Sequence, residues 1–578
     1  MSKYDTIIRN GMIIDGARNP RFIGDVGIKN GIITKVGKIT KGKSKREIDA
    51  TGLVIAPGFI DLHTHYDAQV FWDPYLTTSG WNGVTSVVVG NCGFGFAPLK
   101  KKFRQRAMLS MTKVEAIPMK TMEAAIPWDW ETYPEMLDSM DKQPLAVNVL
   151  PYMPVNPLLI WVMGLEDAKA GRKPTDKEHA EMVEILNEAM DAGACGWSAQ
   201  CLGVAGDPSA TTSGGAAQSD YDGTPMPTDV MHPETRMALA KVLGDRGEGF
   251  IELSGAMLPR EHWEDMARVS GAPIIWQAVP PSGGAMAAMR PDLFAWFKSC
   301  REKGLRIYGQ GITQNPPLVF TFDYWDLWGK VWNEYAGPDV PKDKKLANLA
   351  DPVTRETLRG EPLKYMFIDS IADTILLKTK SKKFKKFEGK RISEIAQALD
   401  AHPVDVVCDV VVEDKLETSF QTAQFDTTIE GIKDLIDDPY IIPGLSDGGA
   451  HIKYLACGSY GTEYISRYVR EYEMSSLEEA HWRLSALPAY CAGFKDRGTI
   501  REGAVADIIV YDYDNLTFNF PEFVRDLPGD EYRLVSGGSG YHYVFVNGQI
   551  TIENDKQTNV HSGQLLRGGK ANMEKLKA

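Results

Sequence analysis

The chain has 578 residues, which is too long for one simple core, so we expect one large domain and a smaller one. Its 77 acidic side chains outnumber its 64 basic ones, and a net charge of -13 repels phosphate backbones and anionic lipid head groups, so nucleic acid and membrane partners are not expected. Seven scattered cysteines without a Cys-x-x-Cys pair, and no signal-like segment near the first residue, predict a soluble cytoplasmic protein.

The two ends of the chain share a pattern of short strands separated by glycine turns. This pattern covers residues 4–55 and returns at residues 506–511 and 543–552. We therefore predict that residues 1–55 and 498–578 together form one small β-sandwich domain.

The middle of the chain alternates strand-like and helix-like segments. This alternation is typical of parallel sheets, because each crossover needs a helix-sized connection. Eight candidate strands follow the pattern, at residues 54–62, 84–90, 145–150, 194–198, 249–254, 272–277, 305–309 and 441–446. Eight such units predict an α/β fold with a closed (β/α)8 TIM barrel over residues 56–497, whose active site lies at the carboxyl ends of the strands.

One segment is longer than a barrel needs. We place this insertion at about 315–390, with an aromatic passage at 320–332 and a basic run at 378–386. The aromatic passage predicts either a helix buried against the barrel wall or a lid over an apolar substrate. The basic run is typical of a solvated surface.

Two histidines follow the first predicted barrel strand. Residues 53–62 are apolar, and His63 and His65 come directly after them. Because residues two apart on a strand point to the same side, both imidazoles are expected to converge and to form half of a metal site. The alternative is a pair of histidines satisfied by hydrogen bonds at a strand end.

Two other strands end in residues that suit such a site. Cys92 binds a metal as a thiolate if it lies near the histidines, and otherwise is an inert, half-buried cysteine. Asp447 follows the eighth strand, where a carboxylate can take a proton from an activated water, although an Asp before two glycines also forms turns. His451, farther along the same loop, contacts either substrate or solvent.

Several motifs together resemble the amidohydrolase superfamily and, within it, the D-aminoacylase (N-acyl-D-amino-acid deacylase) branch. They are Ala-Pro-Gly-Phe-Ile-Asp-Leu-His-Thr-His at 56–65, Val-Gly-Asn-Cys-Gly-Phe at 89–94, Ser-Asp-Gly at 446–448, Tyr-Gly-Thr at 460–462 and Arg-Gly-Thr-Ile-Arg-Glu-Gly at 497–503. The resemblance implies a metal-dependent barrel with a β-sandwich built from both termini, and a homo-oligomer. It also implies that His63 and His65 hold a metal, that Cys92 is a ligand where other relatives use a carboxylated lysine, and that Asp447 is the general base.

The chain departs from this branch at predicted strands five and six. Where the relatives carry metal-binding histidines, this chain has Ser254 and Gln277. Glu252 shares the inward face of its strand with Ser254, so we expect it to supply an oxygen ligand or to act as an acid whose pKa is raised by burial.

The cations with which relatives bind a substrate carboxylate are also replaced. Gly458 and Val279 stand at those positions. Their loss removes the charge that would offset burial of a carboxylate. A free N-acyl-D-amino acid is therefore not the expected substrate, and the many tryptophans favour an apolar or aromatic one.

We predict a hydrolase of carbon–nitrogen bonds other than peptide bonds, which uses one divalent ion, with zinc as the expected metal. Its ligands are predicted to be His63, His65, Cys92 and Asp447, and its catalytic residues Asp447 and Glu252. Contacts to a small substrate are predicted for Gln277, Ser254, Trp276 and His451. Two alternatives stay open: a lyase, decarboxylase or amide condensation reaction on the same barrel, and a non-catalytic binding protein on a degenerate amidohydrolase fold.

Overall fold

The computed structural model describes residues 3–40, 42–202, 219–255, 258–281, 290–325, 328–361, 370–422 and 429–568. Residues 326–327 and 362–369 of the predicted insertion, and residues 1–2 and 569–578 of the predicted terminal domain, lie outside these ranges. Within the described ranges, no helix is both long enough and apolar enough to cross a membrane.

The described residues form a mixed α/β structure. Its strands are β1 (Tyr4–Ile13), β2 (Phe22–Lys29), β3 (Ile32–Gly37), β4 (Ser44–Asp49), β5 (Val54–Pro57), β6 (Phe59–Asp61), β7 (Val84–Val89), β8 (Asn148–Pro151), β9 (Met153–Pro154), β10 (Gly196–Gln200), β11 (Phe250–Ser254), β12 (Ile274–Val279), β13 (Ile307–Ile312), β14 (Leu318–Phe320), β15 (Ile375–Lys378), β16 (Ser419–Thr422), β17 (Ile441–Gly444), β18 (Ile508–Tyr511), β19 (Thr517–Phe518), β20 (Glu522–Leu527), β21 (Glu531–Val535), β22 (Gly538–Ser539), β23 (Tyr541–Val546), β24 (Gln549–Glu553) and β25 (Lys556–Gln557). Its helices are α1 (Arg104–Glu115), α2 (Met119–Ala125), α3 (Tyr133–Met140), α4 (Val155–Met163), α5 (Leu165–Lys169), α6 (Asp176–Ala192), α7 (Pro233–Arg246), α8 (Arg260–Ser270), α9 (Arg290–Glu302), α10 (Lys330–Ala336), α11 (Lys342–Ala350), α12 (Pro352–Arg359), α13 (Ile392–Leu399), α14 (Pro403–Glu413), α15 (Ile429–Asp437), α16 (Tyr460–Glu463), α17 (Leu477–His481) and α18 (Leu487–Cys491).

Both ends of the chain build one nine-stranded sheet, in the order β25-β24-β23-β18-β5-β1-β2-β3, with β4 beside β1. β5 pairs in parallel with β1 and antiparallel with β18, so it belongs to this sheet. The single strand predicted at 54–62 is therefore wrong. The chain leaves the terminal sheet at Pro57 and Gly58 and enters a second sheet as β6, and a side chain at position 58 would collide with Thr85.

The middle of the chain forms two parallel sheets, β6-β7-β8 and β9-β10-β11-β12-β13-β17. Each of the eight predicted strand regions contains a strand, and β8 and β9 are separated only by Tyr152. The loops that follow β6 and β17, the first and last of these parallel strands, also meet. A parallel bridge joins Thr64 to Gly448, and the His65 amide donates a 2.7 Å hydrogen bond to the Gly448 carbonyl. The first and last of these strands therefore lead into neighbouring loops, where the predicted site residues lie.

The insertion has a hydrophobic core of its own. The sheet β14-β16-β15 and helices α10 to α14 enclose Phe320, Trp325, Trp328 and Trp332, which are buried against one another and against Phe420. Of the three tryptophans only Trp332 lies in a helix, α10, and all of these aromatic side chains are buried rather than open to a substrate. Because α13, α14 and β16 share this core, it continues beyond residue 390 to residue 422.

The inserted core also reaches the loop that carries Asp447. Tyr454 and Leu455, a few residues after Asp447, are buried in that core, and so is Ala116 at the end of α1. Lysines of the basic run pair with surface acids, as in Lys380 with Glu417. This pairing agrees with a solvated surface.

Candidate metal centre

Three donor atoms converge where β6 and β7 end. The Nε2 atoms of His63 and His65 lie 3.2 Å apart, and the Cys92 sulfur lies 3.7 Å and 4.0 Å from them. All three side chains are buried, and their donor atoms lie within 4.8 Å of one another. The loop after β6 places the two imidazoles on one side, and a left-handed turn at Cys92, with φ of 56°, turns the thiol toward them.

A carboxylate that follows the last parallel strand lies beside the two imidazoles of this group. Asp447 Oδ1 lies 3.1 Å from His63 Nε2 and 3.7 Å from His65 Nε2. Its loop is held in place because the Ser446 hydroxyl donates to Asp61 and to the His63 carbonyl. Burial raises the pKa of Asp447, but in the metal-free chain the hydrogen bond from His63 and the charge of that imidazole outweigh burial and lower it to about 2.

The two imidazole nitrogens and the thiol sulfur fit a zinc-like ion. A tetrahedron with ordinary zinc bond lengths has edges of about 3.3 Å between two nitrogens and about 3.6 Å between nitrogen and sulfur. The measured separations of 3.2, 3.7 and 4.0 Å are close to these edges. Burial lowers the pKa of His65 to about 3, which keeps its imidazole neutral, as a ligand must be. Burial also raises the pKa of the Cys92 thiol, and a bound cation reverses that effect.

On the side of Cys92 away from the two histidines, polar side chains form hydrogen bonds with one another. Ser254 Oγ lies 2.9 Å from the Cys92 sulfur and donates to Glu252. The other Glu252 oxygen accepts the Cys92 amide at 2.8 Å, and burial raises the pKa of this carboxyl to about 7. Gln277 donates to Gln310 at 2.7 Å. Glu252 therefore anchors the Cys92 loop, and its two oxygens are already engaged.

One of the predicted substrate contacts, Trp276, lies elsewhere, and another, His451, packs on a neighbouring ring beside the site. The Trp276 ring packs against Trp263, Trp296 and Phe297, on the face of β12 opposite to Gln277, so its predicted contact with substrate is not supported by its position. His451 stacks on Tyr454, whose hydroxyl lies 3.1 Å from His451 Nδ1. His451 is nevertheless close enough to Asp447 to influence the pKa of its carboxyl.

The structure also brings in residues that the sequence did not single out. Glu115, the last residue of α1, is 1% exposed, and its Oε1 lies 3.6 Å from His65 Nδ1. A glutamate at a helix C-terminus is disfavoured by the helix dipole, and this was the one local signal that could have drawn attention to it. Gln310 gave no such signal, because it is one polar residue within β13.

Gly458, one of the two positions at which the sequence predicts the loss of a cation, has no room for a side chain. Gly458 has φ of 111°, and a Cβ there would lie 2.7 Å from Ser79 Oγ and 3.0 Å from the Ser79 amide nitrogen. Val279 is fully buried and apolar. Neither position supplies a cation to a substrate carboxylate.

Parallel strands whose ends gather two imidazoles, a thiol and a carboxylate define a metal-binding hydrolase. The chain belongs to the amidohydrolase family, whose model matches residues 46–202 and 388–552. The part between these matched segments contains Ser254, Gln277 and most of the insertion.

Individual relatives agree with this assignment. The chain is 27% identical to N-acyl-D-glutamate deacylase of Alcaligenes xylosoxydans xylosoxydans, over 93% of each chain, and 24% identical to D-aminoacylase of the same organism, over 97% of each. Its fold is similar to the crystal structure of N-acyl-D-glutamate deacylase from Bordetella bronchiseptica complexed with zinc and a phosphonate inhibitor, with a TM-score of 0.63, 22% identity and coverage of 98% of this chain and 100% of that one. The predicted resemblance to the D-aminoacylase branch is confirmed.

Proposed function

We propose that the chain is a metal-dependent amidohydrolase that cleaves an amide or related acyl bond of a small substrate. The convergence of His63, His65 and Cys92 on one point, with Asp447 Oδ1 lying 3.1 Å and 3.7 Å from the two imidazoles, carries this proposal. The Bordetella deacylase was crystallised with zinc, which supports a divalent ion in this chain as well, and we expect one zinc. The bridge from Thr64 to Gly448 supports closure of the two parallel sheets into a (β/α)8 barrel around the site.

His63, His65, Cys92 and Asp447 would hold a divalent ion, which when bound would polarise the substrate carbonyl and lower the pKa of the attacking water. Asp447 accepts the proton of that water and delivers it to the leaving nitrogen. In the metal-free chain a hydrogen bond from His63 lowers the pKa of Asp447 to about 2, and a bound cation would likewise keep this carboxylate ionised and ready to accept. Ser446 and Asp61 hold the loop, so that the carboxylate does not need to reorganise during the reaction.

The occupied side of Cys92 supports a single ion. A second ion would need ligands at Ser254 and Gln277, but Ser254 is bonded to Glu252, and Gln277 to Gln310. Neither a hydroxyl nor an amide matches the imidazole that zinc prefers. We propose that Ser254 and Gln277 orient the substrate, as predicted, and that Glu252 holds Cys92.

The substrate is proposed to be apolar near the scissile bond and to lack a carboxylate there, because Gly458 and Val279 replace the cations of relatives. The Phe94 ring lies 6.1 Å from the His65 ring. Phe94 also lines a narrow, mainly apolar pocket with Leu99, Phe103, Ala107, Met111 and Ile160. We further expect a cytoplasmic homo-oligomer.

The test is hydrolysis of matched amides by the zinc-loaded chain in heavy-oxygen water. One set carries an α-carboxylate beside the amide, and the other carries a neutral group at the same position. We expect one solvent oxygen in the acid product and faster turnover of the neutral set. Product without solvent oxygen would instead indicate a lyase or another non-hydrolytic reaction, and no turnover of any amide by a zinc-loaded chain would overturn the proposal.

A further inference from the structure

Glu115 is a buried acid without a satisfied hydrogen bond. It ends α1, and neither of its carboxyl oxygens has a hydrogen-bond partner among the described residues. Leaving a buried carboxyl unpaired is costly, so an unpaired group of this kind calls for a specific explanation.

The position of Glu115 points to His65. Its Oε1 lies 3.6 Å from His65 Nδ1, which is itself buried and has no hydrogen-bond partner in the described chain. The other nitrogen of the same ring, Nε2, faces the Cys92 sulfur and Asp447. In a neutral imidazole one nitrogen carries the proton and the other a lone pair, so the partner of Nδ1 decides what Nε2 can do.

We propose that Glu115 is a positioning residue, which accepts the Nδ1 proton of His65 and holds the ring with its Nε2 lone pair toward the metal cluster. Carboxyl groups that bond the second nitrogen of a metal-binding histidine fix its tautomer and its orientation. The carboxyl performs this role in either protonation state, because both states leave an oxygen that accepts. This inference rests on the metal site of the proposed function.

Packing fixes the carboxyl in this position. The chain turns sharply after Glu115, because Ala116 adopts a left-handed conformation with φ of 54°. Ala116 is buried in the core of the insertion, together with Trp325 and Tyr454. The inserted core therefore supports both Glu115, through Ala116, and the loop of Asp447, through Tyr454.

The experiment compares zinc affinity in two variants of similar size. Glu115→Leu removes the acceptor, whereas Glu115→Gln keeps an acceptor oxygen. Competition with a chelator is expected to show a zinc affinity about 10- to 100-fold lower for the Leu variant, and an affinity close to that of the unaltered chain for the Gln variant. Glu264→Gln, which makes the same change at a buried glutamate bonded to Lys303 and Arg268, serves as the control and should leave the affinity unchanged.

A second readout needs no metal. In 15N spectra of histidine-labelled, metal-free chain, with His65 assigned from a His65→Gln variant, we expect a protonated Nδ1 in the unaltered and Gln chains and a loss of this single tautomer in the Leu chain. Unchanged affinity and tautomer in Glu115→Leu would overturn the inference, and so would an equal loss in both variants. Failure of the unaltered chain to bind zinc would instead overturn the proposed function together with it.

Discussion

The site has two halves, one on each side of Cys92, and they differ in whether their polar side chains have hydrogen-bond partners within the protein. In the half formed by His63, His65 and Asp447, donor atoms face one another across 3.1 to 3.7 Å. In the half formed by Glu252, Ser254, Gln277 and Gln310, the side chains bond to one another and to the Cys92 amide.

This difference distinguishes the half that is suited to binding a metal, called the binding half, from the half that supports Cys92, called the scaffolding half. Imidazole nitrogens and a carboxylate oxygen crowded together in a buried site are stable only when a proton or a metal ion lies among them, so the first half is suited to binding a cation. The polar side chains of the second half already have partners without a metal ion. We therefore propose one metal site, beside which Glu252 supports Cys92 while Ser254 and Gln277 orient the substrate.

The largest effect should come from removing the carboxylate of the binding half. Asp447→Asn cannot accept a proton, so we expect amide hydrolysis to fall by about 10²- to 10⁴-fold. Steady-state kinetics on the zinc-loaded variant measures this loss. Asp437→Asn on α15, whose partner is the exposed Lys433, should keep full activity. Equal activity of Asp447→Asn and the unaltered chain would remove Asp447 from the mechanism.

A second prediction tests whether new imidazoles can turn the scaffolding half into a second metal site. The double variant Ser254→His, Gln277→His places imidazoles in the scaffolding half, next to the Cys92 sulfur. We expect zinc content to rise from one to two equivalents per chain, as measured by elemental analysis after dialysis. A stoichiometry that stays at one in a folded double variant would show that these two positions do not determine the number of ions.

A third prediction concerns stability. Glu252→Gln replaces a carboxyl that accepts both the Cys92 amide and the Ser254 hydroxyl, so one of these bonds is weakened. We expect the free energy of unfolding to fall by about 2 kcal/mol. Urea denaturation of the metal-free chain measures this change. A metal-free variant as stable as the unaltered chain would argue that Glu252 has no anchoring role.

The smallest effect is expected at the far end of the scaffolding half. Gln310→Leu removes the acceptor of Gln277. We expect the free energy of unfolding, measured by urea denaturation, to fall by about 1 kcal/mol. The zinc content should be unchanged. A loss of bound zinc in this variant would instead place Gln310 in the binding half.

The sequence revealed the binding half because His63, His65, Cys92 and Asp447 each follow a strand directly. The carboxyl ends of parallel strands meet at one edge, so strand order alone brings such residues together. Glu115 could not be found in this way, because it reaches His65 from the end of a helix, and only tertiary packing sets that approach.

The insertion shows a similar limit. The aromatic passage at 320–332 is easily seen in the sequence. Its residue pattern does not predict which other elements pack against these side chains. Strand β16 and helix α14, roughly 80 residues later in the chain, supply that cover. The prediction of one strand at 54–62 was wrong for a local reason. At Pro57 and Gly58 the chain passes from one sheet to another, so one apolar run contributes a strand to each.

The most direct test of a single metal site is to count and locate the metal in one preparation. Elemental analysis after dialysis should give one zinc per chain, and anomalous diffraction at the zinc edge should show one peak in contact with the Nε2 atoms of His63 and His65. No bound zinc after incubation with excess metal, or a peak held by Ser254 and Gln277 instead, would contradict the account.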